Sequence, residues 1–143
     1  HVHNRSRHAD AHVFQLIFAP SRRFRGPAHA QRRFTVAERR EQWRLIASSD
    51  AGDGTLQLLA RARVYSTLLR DGFHVVHELR ARRAALLHVI AGACRIGGHS
   101  QLGAGDAAAF VDERSVSLTA CGDAELLLIE VAVTPSFRWN GCR

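Results

Sequence analysis

Residues 85–90 read Ala-Leu-Leu-His-Val-Ile, with Gly92 two positions beyond. A continuous apolar run suits either a strand buried on both faces or a piece of buried helix, and periodicity alone does not separate the two. The shortness of the run and the flanking glycine decide for a strand, since a helix of this kind runs to about 10–12 residues. Working back from it, His74 to Leu79 is a second strand, entered through the turn Arg70-Asp71-Gly72. Arg63 to Leu68, Leu56 to Leu59 and Trp43 to Ala47 read as further strands, the last leading into the loop SSDAGDG at 48–54. Far upstream, His12 to Ala19 (HVFQLIFA) reads as a strand ended by Pro20. Working forward, Arg95-Ile96-Gly97-Gly98 and Leu102-Gly103-Ala104-Gly105-Asp106 supply tight turns. Ala107 to Val111 follows; then Val116, Leu118 and Ala120 face inward while Ser115, Ser117 and Thr119 alternate outward. Glu125 to Val133 (ELLLIEVAV) closes the series as an apolar strand. Only Ala37 to Gln42 is capable of a helical turn. Many short strands joined by glycine-rich turns give an all-β sandwich or barrel, not a parallel sheet with crossover helices. The pattern buries Leu45, Leu58, Val64, Leu68, Leu86, Val89, Ile90, Phe110, Val116, Leu118, Leu127 and Ile129.

Composition narrows the function classes. The chain has 143 residues, 46% of them apolar, which suits one ordinary domain with a real core. No apolar run approaches the roughly 20 residues of a membrane-spanning helix. The opening His-Val-His-Asn-Arg-Ser is no signal peptide, because no apolar region follows a basic start. A first residue that is His rather than Met leads to the expectation of a piece cut from something longer. The net charge of +7 points toward nucleic acid. Against that, all the basic residues are arginine, in an Ala- and Gly-rich chain, the mark of a GC-rich genome. They are dispersed apart from short clusters such as Arg80 to Arg83, and no aromatic-and-basic signature accompanies them. Nucleic acid is therefore not the expected partner. Cys94, Cys121 and Cys142 are far apart and odd in number, with no CxxC, so neither structural zinc nor a disulfide framework is expected and the compartment reads as cytoplasmic. GxSxG is absent, and the glycines of GGHSQLGAGD belong to turns, not to a phosphate loop opening a helix. No catalytic residue can be assigned from the pattern.

The run QLIFAPSRRFRGPAHAQRRF, followed by ERREQWRLIASSDAGDG, resembles the pirin-like bicupin family. Gln15, Ile17, Pro20, Arg22, Arg23, Pro27, Gln31 and Phe34 fall in step with the family's strand and its Pro, Arg, Gln and Phe positions. Glu38-Arg39-Arg40 and Arg44-Leu45-Ile46-Ala47-Ser48 match its linker and the entry to its second cupin, with Ser49 where Pro is usual. Tyr65, His77-Glu78-Leu79, Gly105-Asp106, Asp112-Glu113 and Asp123-Ala124-Glu125 fit the second domain. Phe24-Arg25 departs from the usual Gly-Leu, so a turn expected to use glycine's freedom at φ > 0 is built otherwise. The resemblance runs to about Val131.

That resemblance implies a cupin fold, the double-stranded β-helix or jelly roll, and a chain that is mainly the second cupin of a bicupin. Residues 1–34 would be terminal strands of an incomplete first cupin, 35–42 a linker, 43–133 a second, metal-free cupin and 134–143 a tail. Proteins of the family are similar to quercetin 2,3-dioxygenases and carry a metal in the first cupin, held by three His and a Glu. Fe, Ni, Cu or Mn would be the cofactor of the intact fold, and a small flavonol-like aromatic its substrate. The missing first-cupin half would be the main partner. Within this chain the candidate ligands are His1 and His3, on a one-residue shift that puts His1 at the ligand His and His3 in place of the Glu; without the shift Val2 stands at the Glu position. Imidazole is accepted by Fe, Ni and Cu. Two ligands do not make a catalytic centre, which needs about three plus an open position. The other reading is that both are ordinary residues near a strand exit.

The second cupin reads as metal-free. With Gly92 as the glycine ending the first motif, the Glu slot falls on Ala85, the His-x-His slot around Glu78 to Arg80, and the second motif's His near Val116. His74 and His77, an odd separation apart on a strand, point to opposite faces and make a poor chelate. His88 reads as a core or half-buried histidine, and Arg80, Arg82 and Arg83 as a solvated edge. Functionally, the expectation is a structural, pocket-walling half of a flavonol dioxygenase, inactive by itself. The alternatives are a non-catalytic binding or regulatory cupin, as in eukaryotic family members that act as transcription co-regulators, and an inactive truncated fragment.

Overall fold

A computed structural model describes residues 4–21, 29–50, 52 and 54–133 of the chain. His1, His3, Arg22, Arg23, the Phe24-Arg25 turn, Pro27 and the tail 134–143, with Cys142, lie outside the described residues. Elements in chain order are helix α1 (Val36–Arg39) and strands β1 (Arg44–Ser48), β2 (Leu56–Gln57), β3 (Ala62–Leu69), β4 (His74–Glu78) and β5 (Arg83–Ala91). They continue with β6 (Ala93–Ile96), β7 (Ser100–Gly103), β8 (Ala107–Val111), β9 (Ser115–Ala120) and β10 (Ala124–Ala132). No helix among the described residues is long and apolar enough to cross a membrane.

The run at 85–90 lies inside β5 and is a strand, as its shortness requires. Two sheets form the domain, in the order β2-β1-β3-β10-β5-β8 and β4-β9-β6-β7. The all-β cupin class follows from this double layer. Strand alternation sorts each side chain to one of two cores. Leu87, Val89, Val116, Leu118, Leu126 and Leu128, all at most 1% exposed, meet between the sheets with Leu69, Leu79 and Cys94. Each such burial contributes about 1.5–3 kcal/mol relative to exposure. On the outer face of the six-stranded sheet, Val64, Leu127 and Ile129 make a second cluster, against which Phe18, Ile46 and Leu58 pack.

Three expectations are corrected. Leu86 is 40% exposed, because β5 alternates and Leu87 and Val89 take the inner face. β6 and β7 are strands where glycine-rich turns were expected; buried Cys94 opposite Leu102 holds them together, and the turn shrinks to the residues between Ile96 and Ser100. His12 to Ala19 is not a strand at all. Its backbone joins no ladder among the described residues, and Ile17 is 85% exposed, because the segment adds to neither sheet and leaves that side chain uncovered. Only Phe18 reaches an apolar cluster, and Ser21 is anchored through its N–H to Leu59 O at 2.8 Å.

The segment read as a linker is fixed onto the barrel. Thr35 caps α1, its hydroxyl accepting from Glu38 N while Glu38 reaches back to Thr35 N at 2.8 Å, a reciprocal capping box. Arg39 Nη1 pairs with Glu125 at 2.7 Å, Thr67 Oγ1 donates to Arg39 O, and Glu41 N donates to Leu68 O at 2.8 Å. The Thr35 backbone and hydroxyl hydrogen bonds, then Arg32, hold the Glu38 carboxyl down at about 2, from an ordinary 4.5. A carboxylate pKa lowered by folding adds stability above the unfolded value, and that contribution is lost as pH falls through the folded one. The cap's contribution to stability is therefore full above about pH 4.5 and declines below it, and the carboxylate itself is protonated in the folded chain only near pH 2. Carbon-detected NMR titration should give Glu38 a midpoint near 2; a midpoint at 4.5 contradicts the capping geometry.

Gly92, between β5 and β6, has φ +76, and a Cβ there would lie 2.0 Å from Asp123 O and 2.9 Å from Ala124 Cα. Both obstacles are backbone, so nothing rotates away. Gly92→Ala should destabilise the domain by more than about 2 kcal/mol in chemical denaturation. Gly98→Ala also replaces a glycine at positive φ, but meets nothing within 4 Å and should cost less.

Candidate functional site

The most distinctive chemistry lies inside the barrel, on the inner face near one end of the sheets. β10 carries Glu125 at its start, paired with Arg39, and is otherwise apolar except for Glu130, which is 1% exposed. Across the sandwich, β4 alternates so that His74 faces solvent and His77 faces in. His77 Nε2 donates to Glu130 Oε1 in a short contact. The imidazole is walled by Tyr65, its ring centroid 4.5 Å away and edge-on, and by Trp43 at 6.0 Å. Arg63 stands opposite Glu130 on β3. It pairs with Asp50 at 3.1 Å and hydrogen-bonds the Tyr65 side chain; these two, Tyr65 first, hold the guanidinium above its ordinary value. Arg63 in turn keeps the Asp50 carboxyl below its usual range. Glu130 Oε2, Trp43 Nε1 and Ser48 Oγ are buried without a protein hydrogen-bond partner.

This arrangement is polar, and among the described residues its donors are too few for a metal centre. Ala85, at the expected Glu slot, and Val116, at the expected His slot, are both core residues with at most 3% exposure. Glu78 and Arg80, from the His-x-His slot, are exposed. Among the described residues no group of three or more His, Cys, Asp or Glu is placed to share an ion. His77 and Glu130 supply two donors, short of the three a catalytic metal needs. The donor set does not fit a divalent transition metal.

The other singled-out residues are dispersed. His74 lies on the solvent face, Nδ1 at 3.0 Å from Thr119 Oγ1. His88 is half-buried on the outer face, its ring edge-on to Phe14 at 5.0 Å. Burial, with Cys121 as the lesser cause, pushes the Cys94 thiol up to about 11, which leaves it inert as a nucleophile. Sequence reasoning missed Glu130, Tyr65 and Trp43 as partners of His77. The signal was present: a carboxylate in the middle of ELLLIEVAV, a strand apolar on both sides of it, has to be paired.

Residues 45–131, more than half of the chain, match the family described as the quercetinase C-terminal cupin domain. The chain belongs to this family. A protein named quercetin 2,3-dioxygenase from Escherichia coli K12 is 29% identical over 120 residues, 84% of this chain and 50% of that protein. A pirin-like protein from Caulobacter vibrioides is 29% identical over 121 residues, 84% of this chain and 52% of the relative. The crystal structure of the bacterial pirin YhhW from Escherichia coli in complex with nickel(II) superimposes with a TM-score of 0.72 at 30% identity. It covers 80% of this chain and 48% of the YhhW chain. The chain thus spans about half the length of the relatives it matches.

If the interior pair is structural, breaking it on one side is costly and replacing both sides is not. Glu130→Leu alone or His77→Phe alone should each lose about 3 kcal/mol, leaving a polar group buried unpaired, while the double variant recovers most of the loss. Urea denaturation of the four proteins measures the coupling.

Proposed function

We propose that this chain supplies the last part of a first cupin, residues 1–34, a linker, 35–42, and a second cupin, 43–133, of a pirin-like bicupin, with 134–143 as a tail. Its intact form would carry out metal-dependent oxygenative cleavage of a flavonol-like substrate in the cytoplasm. The observation that supports this most is the family match across 45–131 in a chain spanning half of its dioxygenase-named relative.

The second cupin's part is to wall the pocket and exclude water. Its interior is closed by Ala85, Val116 and the His77–Glu130 pair, so no catalytic step is assigned to it. The metal belongs to the other cupin, where it would activate the deprotonated substrate toward dioxygen. Of this chain's residues, His1 and His3 are the ones we assign toward that metal; both lie outside the described residues. The exposed apolar residues Val13, Leu16 and Ile17 support an upstream partner body, since they line a segment that joins no sheet among the described residues.

Plasma mass spectrometry on the purified chain, before and after Fe(II), Ni(II), Cu(II) or Mn(II), tests the assignment. The expected result is no stoichiometric, chelator-resistant metal and no quercetin-dependent oxygen uptake. Both should return when the upstream residues of the relatives are restored. Retained metal in this chain overturns the metal-free reading of the second cupin. A metal-replete full-length protein that ignores quercetin favours the regulatory alternative.

A further inference from the structure

At the end of the sandwich away from α1, three arginines surround one groove of about 690 Å³. Arg61 comes from the loop before β3, Arg82 from the turn between β4 and β5, and Arg83 from the start of β5. The carbonyls of Arg61 and Arg82 and the side chain of Arg83 are tied into the fold. Arg83 Nη1 donates to Arg61 O at 3.3 Å, Ala132 N to Arg61 O at 3.2 Å, and Val133 N to Arg82 O at 2.8 Å. None of the three guanidinium groups meets a carboxylate within ion-pair distance among the described residues. The floor is apolar, formed by Phe18, Val131 and Val133. A second, polar groove of about 280 Å³ adjoins it, sharing Ser21, Arg61 and Arg83. The acid there, Asp50, is already neutralised by Arg63.

A solvated arginine edge accounts for charge, but not for two other features. The cationic rim encloses an apolar floor rather than open solvent. Arg82 also holds φ +59 in the turn between β4 and β5, a left-handed conformation uncommon for a non-glycine residue. Guanidinium forks match carboxylate and phosphate oxygens bidentately, and the floor takes apolar carbon.

We propose that this groove is a binding site for a small amphipathic organic anion, its carboxylate or phosphate head on Arg61 and Arg82 and its apolar body on Phe18 and Val131. The site lies outside the barrel interior and makes no use of the His77–Glu130 pair. It is independent of the flavonol reading.

Amide shifts in NMR, with naphthalene-2-carboxylate, its uncharged carboxamide and octanoate as probes, test the assignment on the chain itself. The carboxylate should move the amides of 60–62, 81–83 and 131–133, bind at least tenfold more tightly than the carboxamide, and weaken as sodium chloride rises. Octanoate binding as tightly identifies an aliphatic body, and weaker octanoate a flat aromatic one. The double variant Arg61→Gln/Arg82→Gly keeps the left-handed backbone and removes two charges. It should bind the carboxylate no better than the unaltered chain binds the carboxamide, with its thermal midpoint unchanged or raised. Equal affinity for the charged and uncharged probes, shifts elsewhere, no binding of either acid, or undiminished binding by the double variant would overturn the proposal. Should that variant not fold, the salt dependence of the unaltered chain decides.

Discussion

β10 is buried on both faces, and the rest of the domain is arranged around that constraint. It lies in the middle of the six-stranded sheet, paired with β3 on one side and β5 on the other. Leu126 and Leu128 face the second sheet while Leu127 and Ile129 face the outer cluster. Past the part-exposed Glu125 at its start, a strand so placed has no solvent side on which to put a charge. Glu130 therefore has to find its partner across the sandwich, and His77 on β4 is positioned for it. The pair links the two sheets by a directional contact where every neighbouring contact is non-directional apolar packing. Burying polar groups is tolerated only when they are hydrogen-bonded, and one oxygen of Glu130 is left over.

The fold was legible because its signals were short-range. Alternation of Ser115, Ser117 and Thr119 with Val116, Leu118 and Ala120 placed β9 and its faces correctly. Gly92 marked the end of β5 for a reason visible only in three dimensions, the backbone of Asp123 and Ala124 pressed against it. Illegible parts were those set by partners. β6 and β7 carry too few apolar residues to announce themselves, and exist through pairing with each other and with β9. His12 to Ala19 has the composition of a strand, yet composition supplies no partner, and without one the segment stays outside both sheets. Leu86 looked like core because its neighbours are core; alternation within a buried run is invisible until the sheet's faces are known.

The candidate site divided along the same line. That His74 and His77 face opposite ways follows from strand parity and needed no structure. That His77 meets Glu130 joins residues far apart in sequence, and only topology brings them together. The arginines at 80–83 had been read as a uniform edge. Their neighbours Arg61 and Phe18 come from other loops and turn part of that edge into a groove.

The pinned junction at 35–41 has a consequence for how two halves of such a protein hold together. A flexible tether lets an attached body explore a large volume, so its local concentration at the surface it docks on is low. Here the capping box, the Arg39–Glu125 pair and the Glu41–Leu68 hydrogen bond take that slack out of the chain. Any body joined upstream of Thr35 leaves from a fixed point in a restricted direction. For a body so joined, an interface too weak to associate two separate molecules would suffice within one.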